Sequence, residues 1–311
     1  MRLLYDTIAA SLGAHVAQIL GIQPVERTVR CFPDGEVYAE IKASVEKEDV
    51  FVLCSTPADA WMPLFMLLDA LMQARPNRIY LCFAYFGYGR QDRPTMLSGC
   101  FSVARLAAML GTFPLEKIFI IDLHNCKNTS LFLTPCFCVS SYKIFSKYIE
   151  QNTSVPDLFI APDRGASHRV KKLAEACARP WSVLDKRASF TVDTSFRDTI
   201  QRKRCALVDD LVDSGRTLCN AMQMLWKCGA QSAMLFVTHG LFKGGECPFL
   251  KEARVNASET WMGSFFEELV VTDTLPLPLC VPSVKQVTIA PLVAELFKKL
   301  CQGQSIEDLL V

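Results

Sequence analysis

The chain has 311 residues, with 33 Lys and Arg against 32 Asp and Glu for a net charge of +1, and half of its residues are hydrophobic. Such a composition supports a large core and excludes a disordered chain or one built to bind nucleic acid, so any anion site must be local. The length predicts two domains. Fourteen cysteines lie mainly in apolar stretches of a chain too long to need staples, and are expected to be reduced core residues. Cys136 and Cys138 are the only close pair, and no zinc-type arrangement of two pairs occurs. Neutrality and positive mean hydropathy fit a chain that hides surface in an oligomer. No run of about 18 apolar residues is present. Asp6 interrupts the N-terminus, so neither a spanning helix nor a signal peptide is expected and a cytoplasmic location follows.

In chain order, a helix with Ile8, Leu12, Ile19 and Leu20 at helical spacing runs from Asp6 to a stop at Gly21. A turn marked by Pro33 and Gly35 then holds Phe32, Asp34 and Glu36. Apolar strands are predicted at 50–54, 78–84 and 117–121, separated by helical stretches such as 102–110. Arg90 and Gln91 follow the second strand and His124 follows the third, after Asp122. A second series repeats the rhythm, with strands at 158–161, 181–184, 205–208 and 233–237 and helices at 167–178 and 217–228. Asp163 closes the first strand of this series ahead of Gly165, and Lys186 and Arg187 follow the second. Strands alternating with helices predict an α/β fold with largely parallel sheets flanked by helices, whose ligands gather at the carboxyl ends of the strands. The predicted domains are 1–142 and 143–290, with a C-terminal helix in 291–311 able to pack back on the first. Residues 241–264, with Gly244, Gly245 and Pro248, read as a long excursion.

The most informative stretch runs from Cys205 to Thr217. An apolar strand ending in Asp209 and Asp210 leads into Asp213-Ser214-Gly215-Arg216-Thr217, which opens a helix. Backbone N–H groups and the positive end of the helix then point at one spot, which suits a phosphate. Gly215 permits close approach, Ser214 and Thr217 supply hydroxyl donors, and Asp209, Asp210 and Asp213 can accept from sugar hydroxyls or hold a cation. The competing reading is a strand-to-helix turn capped by Ser214 or Asp213. Likewise Arg90 can form a surface ion pair, residues 32–36 can be an exposed turn, His124 can be a satisfied lone histidine, and Lys186 can be a solvated basic turn.

The 205–217 stretch resembles the ribose-phosphate loop shared by type I phosphoribosyltransferases and ribose-phosphate pyrophosphokinases. Phe32-Pro-Asp-Gly-Glu36, Tyr85 to Arg93, Asp122-Leu-His124, Ala161-Pro-Asp-Arg-Gly165, Thr238-His-Gly240 and Val271-Thr-Asp-Thr274 resemble the pyrophosphokinases in order and spacing. The resemblance runs from about Arg2 to Leu310. It implies two type I phosphoribosyltransferase-like domains and transfer of the β,γ-diphosphoryl group of ATP to ribose 5-phosphate, giving phosphoribosyl pyrophosphate and AMP. By the same resemblance Phe32, Asp34, Gly35, Glu36, Arg90 and Gln91 bind ATP, the first four across a homo-oligomer interface with a shared ATP site. Residues Asp209, Asp210, Asp213, Ser214, Gly215, Arg216 and Thr217 bind ribose 5-phosphate, His124 and Asp163 hold Mg2+, and Lys186 with Arg187 serves the transfer.

Two positions depart from the family pattern. The family's Lys-x-Arg is here Lys186-Arg187-Ala188, and Arg164 stands where the family has a small residue. Both keep open a noncatalytic regulatory relative of the enzyme. A phosphoribosyltransferase shares only the 209–217 loop.

Overall fold

Apolar runs bounded by polar turns become strands, and the helical stretches between them make the crossovers that parallel pairing needs. The computed structural model describes residues 1–94, 96, 98–151, 155–184, 194–242, 265–278 and 284–311. These fall into two units, Met1–Ser140 with Thr274–Pro276 and Ile289–Val311, and Ser141–Asp273 with Leu277–Thr288.

The first unit contains β1 (Arg2–Tyr5), α1 (Ala10–Leu20), β2 (Arg27–Cys31), β3 (Val37–Ile41), β4 (Asp49–Thr56), α2 (Trp61–Gln73), β5 (Arg78–Phe86), α3 (Ser102–Leu110), β6 (Leu115–Ile121) and β7 (Cys136–Val139). Five strands form a parallel sheet in the order β1-β4-β5-β6-β7. Leu4, Val52, Leu81, Phe83, Ile118 and Ile120 pack with Trp61, Leu64 and Leu68 of α2 and Val103 and Leu110 of α3. The strands β2 and β3 stand apart as an antiparallel hairpin.

The second unit contains α4 (Tyr142–Gln151), β8 (Leu158–Ala161), α5 (Ser167–Ala176), β9 (Trp181–Val183), α6 (Thr194–Ile200), β10 (Arg204–Val212), α7 (Arg216–Lys227), β11 (Ser232–Gly240), β12 (Phe266–Thr272) and β13 (Val284–Val287). Its six strands pair in the order β13-β12-β11-β10-β8-β9, again all parallel. Alternation along β10 separates two cores. Cys205 and Leu207 pack with Leu218, Met222 and Leu225 of α7, while Ala206 and Val208 pack with Val170, Leu173 and Ala174 of α5. The chain then returns to the first unit as α8 (Ala290–Cys301), where Phe297 meets Phe51 edge-on with centroids 5.5 Å apart.

Three expectations are corrected. The first helix starts at Ala10 rather than Asp6, because residues 2–5 form an edge strand paired with β4. The strand carrying Asp209 and Asp210 does not end there but continues to Val212, since Leu211 and Val212 still pair with His239 and Gly240. Nor are all cysteines reduced core residues: Cys126 and Cys138 form a disulfide with Cα atoms 5.7 Å apart, and Cys31, Cys100 and Cys301 are exposed. The bridge arises because the short 3-10 turn Cys126–Leu131 follows β6 and packs beside its parallel neighbour β7. Among the described residues no helix is long and apolar enough to cross a membrane.

Asp6 ties three elements together at the carboxyl end of β1. Its carboxylate accepts from Ala9 N at 2.6 Å and Ser55 N at 3.1 Å, and it is buried. Burial pushes the carboxyl up to about 6, outweighing those hydrogen bonds and the Arg27 charge, which pull it down from an ordinary value of 3.8. Between those two values the folded state holds a proton that the unfolded chain has released, so the contribution of this group to stability falls as pH rises through the window. The stability of the wild type relative to Asp6→Asn, read by urea denaturation, should drop by about 2–3 kcal/mol from near pH 4 to near pH 7. A pH-independent difference would mean that Asp6 titrates alike in both states.

Candidate functional site

In the second unit the chain leaves β10 and turns into α7 through residues 213–215. Gly215 is the N-cap of α7, with φ 72° and ψ 2°, in the left-handed region. A glycine reaches that conformation without Cβ strain and presents only backbone at the helix end. Thus the capping residue is not Ser214 or Asp213. Ser214, Arg216 and Thr217 are exposed, and Asp213 is half-buried. The arrangement offers backbone N–H groups, a hydroxyl on the first helical turn and the positive helix end together, which is anion-binding chemistry.

Just upstream, Asp210 N donates to Asp209 Oδ1 at 2.9 Å. Arg169 of α5 brings its Nη1 to 3.7 Å from Asp210 Oδ1 and 4.0 Å from Asp209 Oδ1. Burial, followed by the neighbouring Asp210 charge, raises the Asp209 carboxyl well above the ordinary range, and Arg169 opposes the shift. Paired carboxylates facing one cation suit the recognition of hydroxyls. Asp163, also of this unit, follows β8. Its Oδ1 accepts from Gly165 N at 3.0 Å and Ala166 N at 3.3 Å, which caps the turn into α5. Arg164 is exposed beside it.

In the first unit the loop after β5 carries Arg90 and Gln91, both exposed. Gln91 N donates to Tyr88 O at 2.9 Å, its backbone carbonyl accepts from Val103 N at 3.4 Å, and its side-chain oxygen accepts from Ser102 Oγ and Cys100 Sγ. This ties the loop to the start of α3. Asp92 Oδ2 accepts from Asn125 Nδ2 at 3.0 Å, which joins the same loop to the turn carrying exposed His124. Gly87 is required where the loop starts, because a Cβ there would lie 2.0 Å from Thr56 O. The loop carrying Arg90 and Gln91 and the turn carrying His124 are therefore joined through Asp92 and Asn125.

The third predicted segment is the β2–β3 turn. Phe32 N donates to Glu36 O at 2.7 Å, Gly35 N to Phe32 O at 2.9 Å and Glu36 N to Asp34 Oδ1 at 3.0 Å, with Gly35 at φ 94°. Arg30 lies over both Phe32 and Tyr38, 5.0 and 4.7 Å from the ring centroids, and the two rings are 40% and 42% exposed. A cation–aromatic stack at a hairpin tip keeps an apolar face presented to solvent. Lys186, Arg187 and Ala188 lie outside the described residues, as does most of the 241–264 excursion.

Sequence reasoning missed Arg30, Asp92, Asn125 and Arg169. Alternation along β2 and the pairing of Arg30 with Tyr38 would have flagged the first. Arg169 carries no local signal, since its partners are some forty positions away.

Gly215→Ala forces a Cβ into the left-handed region, so unfolding by urea should show a loss of about 1–2 kcal/mol. Stability equal to wild type would show that the turn relaxes to another conformation.

Comparison with known proteins gives a consistent picture. Residues 1–113 match the N-terminal domain of ribose phosphate pyrophosphokinase, and residues 196–311 match the phosphoribosyl synthetase-associated domain. A ribose-phosphate pyrophosphokinase of Burkholderia pseudomallei is 33% identical over 309 residues, covering 96% of this chain and 94% of that one. Another from Mesorhizobium japonicum is 31% identical, covering 99% of both. Among solved structures, phosphoribosylpyrophosphate synthetase from Mycobacterium smegmatis superposes with a TM-score of 0.84 at 26% identity, covering 97% of this chain and 99% of that one.

Proposed function

The chain belongs to the ribose-phosphate pyrophosphokinase family, and from that premise we propose how its residues carry out the family's reaction. The reaction moves the β,γ-diphosphoryl group of ATP to the 1-hydroxyl of ribose 5-phosphate, giving phosphoribosyl pyrophosphate and AMP. The observation that carries the reading is the strand bearing Asp209 and Asp210, which runs into a helix capped by a glycine in the left-handed conformation.

In this reading residues 213–217 hold the 5-phosphate by backbone N–H groups and the Thr217 hydroxyl, while Asp209 and Asp210 accept from the ribose hydroxyls. Orientation of the 1-hydroxyl follows, and positioning is the larger part of catalysis when little covalent chemistry falls to the protein. Arg90 grips phosphate oxygens of ATP, and Gln91, held by Ser102 and Cys100, adds an amide contact. The ring of Phe32, kept exposed by Arg30, offers an apolar face to adenine, with Asp34, Gly35 and Glu36 shaping the turn. Carried by a hairpin, this group is assigned to the nucleotide of a neighbouring copy, which makes the working enzyme a homo-oligomer.

Asp163 and His124 are each assigned a ligand role toward Mg2+. Such an ion keeps several waters and takes substrate phosphate oxygens beside one or two protein ligands. Held by such a residue, Mg2+ would supply charge neutralisation to the diphosphate. Lys186 is assigned to the developing charge on the transferring group and Arg187 to its partner role, in place of the arginine that Ala188 replaces. Ala188 and Arg164 are the two observations favouring a regulatory relative instead. Turnover by this chain alone removes that reading. Cytoplasmic location belongs to the same proposal.

With ATP, ribose 5-phosphate and a divalent cation, the purified chain should form AMP and phosphoribosyl pyrophosphate, and neither product when any one is omitted. Chromatography of the nucleotides decides it, and ADP in place of AMP would exclude diphosphoryl transfer. Asp213→Ala and Thr217→Val should each raise the KM for ribose 5-phosphate by about tenfold, with folding unchanged by circular dichroism. Unchanged KM in both variants would reduce the loop to a helix cap.

A further inference from the structure

Three ionisable side chains meet inside the second unit. Arg169, the third residue of α5, has a side chain only 12% exposed, and it faces Asp210 and Asp209, whose side chains are 7% and 17% exposed. Its neighbour Val170 is fully buried against Ala206 and Val208 of β10, which fixes the helix face that carries it. Adjacent acids in one strand normally alternate sides. Here both approach one guanidinium, and Asp210 N also donates to Asp209. Removing the guanidinium takes away the buried counter-charge that both acids approach, in a medium that screens charge poorly.

We propose that Arg169 is a positioning residue of the ribose 5-phosphate site, holding the carboxylates of Asp209 and Asp210 in the geometry that accepts the hydroxyls of the sugar. The proposal rests on the ribose-phosphate reading of the 209–217 segment and adds a residue from another element to it. Arg169 acts on the sugar only through the acids, whereas Thr217 acts on the phosphate. That division has a signature. Changes to Arg169 and to Asp210 are two ways of spoiling one arrangement, so their effects do not add, while changes to Arg169 and Thr217 act on separate parts of the ligand and do.

The test is the affinity of the full chain for ribose 5-phosphate by calorimetry, together with steady-state kinetics. Arg169→Met should weaken binding roughly tenfold and raise the KM for ribose 5-phosphate, with the KM for ATP unmoved, and Arg169→Lys should recover most of the loss. Arg169→Gln, polar and of similar reach, reads the same loss should the Met variant fold poorly. Combined with Asp210→Asn, Arg169→Met should cost little more than either alone, and combined with Thr217→Val its effect should multiply. Wild-type affinity in both Arg169→Met and Arg169→Gln, or full additivity with Asp210→Asn, overturns the proposal. If Thr217→Val loses nothing while the Arg169–Asp210 coupling persists, the phosphate-loop reading falls and the role of Arg169 stands.

Discussion

Every strand pair in the two larger sheets is parallel, and that constraint decides where chemistry can occur in this chain. Parallel pairing demands crossovers, crossovers place helices on the sheet faces, and the faces fill with side chains such as Phe51, Phe83, Phe159 and Phe236. Polar groups that must meet a substrate are left with the strand ends. The predicted site segments that the structure describes follow this rule, except the β2–β3 hairpin and the acids Asp209 and Asp210, which lie inside β10 near its carboxyl end. Asp163 leaves β8, the 213–217 loop leaves β10, Arg90 leaves β5 and His124 leaves β6. The hairpin is the one described site element built from antiparallel strands, and it carries an exposed aromatic pair. A two-stranded hairpin has little core of its own, so Val29, Ala39 and Ile41 pack it against the core of the first unit while Arg30 stacks on the rings at its tip.

Electrostatics then distinguishes the two units. In the first, the polar links near the site include hydrogen bonds between loops, with Asn125 on Asp92 and Ser102 on Gln91. Such links set loop geometry without placing a large uncompensated charge in a dry place. In the second, the acids sit within a strand that is otherwise apolar from Cys205 to Val208. Charges there are expensive unless paired, and a single guanidinium answers two carboxylates. Carboxyl oxygens gathered beside that guanidinium suit a polyol, or a cation carried with the substrate.

Much of the fold was legible because burial on both faces writes strands as continuous apolar runs. Residues 158–161 and 102–110 form the predicted strand and helix, and the predicted helix of 217–228 is displaced from α7 by a single residue at each end. Legibility failed where the pattern is short or mixed. Arg2–Tyr5 is only four residues long and adjoins a helical pattern, and β2 and β3 mix charged with apolar residues over five residues each. The acids at 209 and 210 hid the continuation of β10, because carboxylates inside a strand contradict its propensity and survive only through a partner on α5.

The site divides along the same line. Gly215, Gly35 and Asp163 act through their own backbone neighbourhood, since a positive φ or a cap at i+2 is a local demand that leaves a local residue signature. Arg169, Asn125 and Ser102 act across the fold on side chains between eleven and forty-one positions away, and nothing in their flanking residues announces that. A segment match transfers the first kind of residue readily. The second kind depends on helix α5 and the Cys126–Leu131 turn being held at particular distances from the loops they steady. The Cys126–Cys138 bridge bears on that directly, because it anchors the turn that begins one residue after Asn125 to the strand β7. The turn that follows Asn125 is thus held to β7 by a covalent link that no reading of apolar cysteines would have placed there.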